Sequence, residues 1–148
     1  AQRVTKLALE FYPEASTANF MSGLTWILNK DEAAAMVALK KSAALNPRGP
    51  ASPGGLNNVA YQLAGVGMLD DAIAILRVAI QLFPKEANLH DSVGEFLLRK
   101  GDKAQALEAY SKALEINPEF GNAAAAKEVV KKLSAELGGR QTNTSTPK

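Results

Sequence analysis

The chain has 148 residues, of which 47% are apolar and 22% charged, with a formal net charge of +2 and no cysteine. That length holds one ordinary domain or an array of small units, and that apolar share supports a core and argues against global disorder. Disulfides, thiol catalysis and thiolate metal sites are excluded. The mild, dispersed basic charge gives no reason to expect nucleic acid, and no apolar run approaches the roughly 18 residues of a membrane span.

Residues 1–13 (AQRVTKLALEFYP) read as an amphipathic helix, with Val4, Leu7, Ala8 and Phe11 on its inner side and Pro13 as its stop. They have neither the uninterrupted apolar stretch nor the cleavage site of a signal peptide. They look like the second half of a helix pair, which implies a simple cap, an excised upstream domain, or a homodimer in which a second copy covers the open side. Residues 16–47 then read as two helices closing at Pro47. The link RGPASPGG (48–55), with two prolines and three glycines, reads as a loop, either a tolerated insertion or a hinge.

Residues 53–86 and 87–120 each read again as helix, short turn and helix. GNAAAAKEVVKKLSAEL (121–137) is a long Ala- and Lys-rich helix, expected to be a solvating cap with Lys127, Lys131 and Lys132 facing water. GGRQTNTSTPK (138–148) is a polar tail expected to be disordered. Its Asn143-Thr144-Ser145 matches a glycosylation sequon, as a polar tail does by chance.

The units repeat. Pro13, Pro47, Pro84 and Pro118 are separated by 34, 37 and 34 residues. Aligning 56–84 with 90–118 pairs Val59 with Val93, Leu63 with Leu97, Gly67 with Gly101, Ala72 with Ala106, Ala79 with Ala113 and Pro84 with Pro118. Gly67 and Gly101 fall between two helix-period patterns, where a tight turn needs positive φ. Ala60, Gly94, Ala72 and Ala106 are small where paired helices cross closely. Leu63, Leu76, Leu97 and Tyr110 are large enough to fill the space between. No such helix buries its apolar stripe alone, but stacked pairs do.

With this spacing, these small residues and this closing proline, the chain resembles the tetratricopeptide repeat family. The first unit matches it at Gly23, Trp26, Ala35, Leu39, Leu45 and Pro47. It departs at Ser42, where the family has Ala, and at Lys30, where the turn glycine belongs. The resemblance implies an all-α solenoid over residues 1–137: a half-repeat (1–13), repeats at 16–47, 53–86 and 87–120, and a cap helix (121–137).

Signatures of catalysis are missing. There is no G-x-S-x-G, P-loop or H-E-x-x-H. The single histidine, His90, stands where the family places a packing residue. No metal or other cofactor is expected. Asp91 and Glu95, four apart on one helix face, are expected to be an exposed pair that attracts a basic group, rather than an acid–base site.

In the resembled family the first helices of the pairs line a concave groove that receives a protein or peptide. Carried over, the first unit offers Thr17, Phe20, Leu24 and Ile27, and the second Asn57, Tyr61 and Ala64. The third offers Asn88, Asp91, Glu95 and Leu98, with Arg99 beside them. The groove would run from an apolar end to an acidic one. The Lys and Arg of family members that clamp a C-terminal carboxylate are absent, so an apolar or basic segment is the expected ligand, docked as a helix or extended peptide. LNNVAYQLAGVGMLDDAIAIL and the repeat after it are also similar in flavour to repeats appended to bacterial serine hydrolases. This implies, as an alternative, a non-catalytic accessory domain that docks on a catalytic domain or self-associates.

Overall fold

A computed structural model describes the backbone of residues 15–141 and the side chains of 15–138. The half-repeat expected at 1–13 and the tail from 142 lie outside the described residues. Those described form seven α-helices: α1 (Ser16–Leu28), α2 (Glu32–Leu45), α3 (Pro53–Gly65), α4 (Leu69–Leu82), α5 (Ala87–Lys100), α6 (Lys103–Ile116) and α7 (Ala123–Gln141). None of them is long and apolar enough to cross a membrane. The chain divides into two compact units, one ending at Pro84 and one beginning at Lys85.

Several helices start or stop for a local reason. The Asp31 carboxylate accepts the Ala34 N–H at 2.9 Å and opens α2, and Asp102 accepts the Gln105 N–H at 3.1 Å and opens α6. Helix α4 has no side-chain cap but carries Asp70 and Asp71 in its first turn, where the helix dipole favours negative charge. Gly67 and Gly101 close the turns after α3 and α5, both at φ 87°. Lys30 fills the matching place after α1 at φ 63°. A side chain there costs about 1–2 kcal/mol. Lys30→Gly is expected to raise the stability of the first unit by about 0.5–1 kcal/mol, after allowing for glycine's greater freedom in the unfolded chain. A urea-unfolding midpoint would read the gain. Loss of the exposed Lys30–Asp71 ion pair (3.2 Å) subtracts little.

The 48–55 link is more ordered than its composition suggests. Ala51 is fully buried. Ser52 Oγ accepts the Gly55 N–H at 3.2 Å, and Pro53 occupies the first turn of α3. Gly55 lies so close to the Pro50 carbonyl that a β-carbon would collide with backbone. The last three residues of the expected loop are therefore helix.

In the first unit α1 and α2 form an antiparallel pair that crosses at Gly23, where a β-carbon would stand 2.5 Å from Leu39 Cγ. Ser42, where the family has Ala, is fully buried and hydrogen-bonded. Its hydroxyl donates to the Ser16 carbonyl at 2.7 Å, and the Ser16 hydroxyl reaches the Ser42 carbonyl at 3.0 Å. Helices α3 and α4 form the next pair. Helix α4 is buried on most sides through Ala72, Ile73, Ile75, Leu76, Val78 and Ala79, and it packs against α1 and α2 as well as α3.

In the second unit α5 pairs with α6, and α7 packs on α6. A β-carbon at Gly94 would stand 2.8 Å from the Tyr110 ring. Helix α6 turns Ala106, Tyr110 and Ala113 inward, and α7 turns Ala123, Ala126 and Leu133. Lys127, Lys131 and Lys132 face solvent, as expected of a cap. Lys103 Nζ meets Glu136 Oε2 at 2.6 Å and ties the start of α6 to α7. Helix α7 continues past the expected end at 137, through Gly138, because glycine weakens a helix without forbidding it.

Candidate functional site

The apolar positions carried over from the family are mostly inside. Phe20 is 7% and Ile27 1% exposed, and Leu24 is half-buried. The outward face of α1 is turned one residue on, to Met21 and Leu28, each 48% exposed. One residue is about 100° of rotation on a helix, so a one-residue shift replaces the whole stripe. Contacts from the second pair to α1 and α2 are made chiefly by α4, the second helix of its pair, rather than by α3. Among the described residues the exposed large apolar side chains all lie in the first unit. On α3, Tyr61 is 39% exposed, while Asn57 is half-buried with its side-chain oxygen closed off and without a hydrogen bond.

The second unit assembles a polar cluster on α5. Asp91 and Glu95 lie one turn apart, and Arg99 follows one turn later, its guanidinium 5.6 Å from the Phe96 ring centroid. Asp91 is not exposed as expected: it retains 6% exposure, and its Oδ2 accepts the Asn122 Nδ2–H at 2.8 Å. Glu95 is half-buried and Arg99 exposed. Asn122 immediately precedes α7 and brings a donor from 31 residues away. Sequence reasoning missed it. Asn before an Ala-rich run signals a helix start, and nothing local indicates that its amide turns to α5.

Burial pushes the Asp91 carboxyl above its ordinary value of 3.8. The Asn122 hydrogen bond opposes that shift and the neighbouring Glu95 charge adds to it. Because folding raises this pKa, the stabilising contribution of Asp91 is fully present below the ordinary value. It is lost as pH rises through the folded value. The ionised side chain is therefore a cost to the fold. Among the described residues no group of three or more His, Asp or Glu is placed to hold a metal.

A family model for the tetratricopeptide repeat matches residues 87–120, which carry this cluster. The small glutamine-rich tetratricopeptide repeat-containing protein 2 of Mycosarcoma maydis is 33% identical over 89 residues, 60% of this chain and 24% of that protein. Superkiller complex protein 3 of Homo sapiens is 40% identical over 53 residues, 36% of this chain and 3% of that protein. The chain thus spans about a quarter or less of the length of these curated relatives. Among solved structures, the Sgt2 TPR domain from Aspergillus fumigatus has a TM-score of 0.55 at 20% identity, covering 90% of this chain and 85% of that one. The TPR2B domain of yeast Sti1, in a complex with pHsp70, has a TM-score of 0.54 at 20% identity, covering 82% and 97%. The first TPR of Spaghetti (RPAP3), bound to the HSP90 peptide SRMEEVD, has a TM-score of 0.53 at 16% identity, covering 83% and 93%. Identities this low speak for fold alone. Residues 87–120 match the tetratricopeptide repeat, and the described residues are all-α helix pairs with the tetratricopeptide-repeat fold.

Proposed function

We propose that the chain is a non-catalytic protein-interaction module and that the segment it binds is basic. Proteins of the same fold are seen holding a protein or a peptide. The observation that carries the choice of chemistry is the Asp91–Glu95 pair on α5, inside the matched repeat. The SRMEEVD peptide held by Spaghetti has three acidic side chains against one basic. Two carboxylates on α5 would repel such a peptide and attract its opposite. The apolar half of the expected groove has less support, because Phe20 and Ile27 are buried.

Panning a random-peptide library on the immobilised chain tests this. Wild type is expected to enrich Lys- and Arg-containing peptides. Glu95→Lys changes a half-buried position, should leave the helical circular dichroism spectrum intact, and should weaken those peptides about tenfold or more. Enrichment of acidic peptides, or recovery indifferent to Glu95→Lys, would place binding elsewhere or remove it.

A further inference from the structure

The three helix pairs act as controls for one another. Spacings of 37 and 34 residues bring Asn29, Val66 and Lys100 to one place in the turn, and Asp31, Met68 and Asp102 to another. In the first and third pairs that aspartate caps the next helix, accepting the Ala34 or the Gln105 N–H. Helix α4 receives no such bond: Met68 precedes it, 40% exposed, and Val66 in the same turn is 73% exposed. Capping and solvation both favour the polar residues that the other two turns carry. The same contrast appears at the end of α1. Trp26 stands where α5 has the buried Leu97, yet it is 40% exposed, and Leu28 near it is exposed too.

The Lys30–Asp71 ion pair joins the turn after α1 to the first turn of α4, so these four apolar side chains share one edge of the first unit. Single apolar residues are ordinary on a surface, but a group of them marks a contact. Charge selects what makes it. Lys30 is engaged by Asp71, while Asp31 and Glu32 are exposed and meet no cation among the described residues. The uncompensated charge is negative, which disfavours an anionic lipid surface or an acidic segment and favours Lys and Arg. The chain's own tail, 139–148, has no large apolar side chain to offer.

We propose that this edge of the first unit is a docking surface for an amphipathic helix of a partner protein. The apolar stripe of that helix covers Trp26, Val66 and Met68, and its flanking lysine or arginine residues meet Asp31 and Glu32. The surface lies in the other unit from the α5 pair and does not rest on it.

Trp26, the chain's single tryptophan, is the reporter. The peptide acetyl-Ala-Leu-Lys-Ala-Leu-Leu-Lys-Ala-Leu-Lys-Ala-amide, and the same peptide with Glu for Lys, are titrated into the full chain. The lysine peptide is expected to move the Trp26 emission to shorter wavelength, to shield it from acrylamide, and to bind about tenfold or more tightly than the glutamate peptide. Val66→Lys with Met68→Asp installs the third pair's own turn residues without changing the net charge. It should raise the thermal unfolding midpoint and weaken the lysine peptide about tenfold or more, while Glu95→Lys leaves that affinity unchanged. A lowered midpoint would make Val66 and Met68 packing residues and overturn the proposal. So would equal affinity for the two peptides, an unchanged emission, binding that survives the double variant, or binding lost in Glu95→Lys, which would move the peptide to α5. An indole already shielded without peptide overturns it as well. Shielding that grows with protein concentration would make a second copy the occupant, and constant shielding a segment of the same chain.

Discussion

Gly94→Val is expected to destabilise the second unit by about 3 kcal/mol, the upper part of the usual cost of overpacking. A β-carbon at Gly94 would stand 2.8–3.0 Å from three atoms of the Tyr110 ring, closer than carbon atoms approach without strain. Tyr110 is itself buried, 5% exposed, so the ring has little room to retreat. Valine adds two methyl groups in the same direction and restricts χ1 in a helix. Relief would require α5 and α6 to separate, uncovering Ala106 and Ala113. Amide hydrogen exchange in α5 and α6 reads the effect locally. Unchanged protection would mean that the two helices do not cross at this glycine.

The second large effect is at Leu39→Ala, expected to cost the first unit about 3–4 kcal/mol. Leu39 is fully buried, and its side chain lies over Gly23. Truncation leaves a cavity at the α1–α2 crossing. Gly23→Ala alone should also destabilise, because its β-carbon would sit 2.5 Å from Leu39 Cγ. Together the two should cost less than their sum, since alanine at 23 enters the space that leucine leaves. Urea unfolding of the four proteins measures the coupling. Strict additivity would show that the two positions do not face each other.

These contacts trace what the amino-acid pattern makes legible. Closing prolines, turn glycines and small crossing residues act locally, so helix ends and pairings followed from spacing. Pro47, Pro84 and Pro118 each lie two residues beyond a helix. Lys30 adopts the conformation of the glycines it replaces, and Ser42 fills the place of an alanine by bonding to Ser16.

What was not legible depends on how pairs stack. Periodicity showed that α1 has an apolar stripe but not which of its edges would be covered, so Phe20 and Ile27 are buried while Met21 and Leu28, one residue on, are exposed. The packing of α4 against α1 and α2 is also non-local, and the 48–55 link departs from what its composition suggests. That link packs Ala51 inside and begins a helix at Ser52-Pro53, a cap signal outweighed by the surrounding glycines. The Asn122–Asp91 bond joins residues 31 apart and leaves no local trace.

The measurement that bears most directly on an acidic interaction face is hydrogen exchange of the chain with and without the most enriched basic peptide. Protection is expected at the exposed end of α5, around Glu95 and Arg99, and at the turn before α7 that carries Asn122. Protection confined to α1–α4, with α5 unchanged, would contradict it and place the binding surface in the first unit.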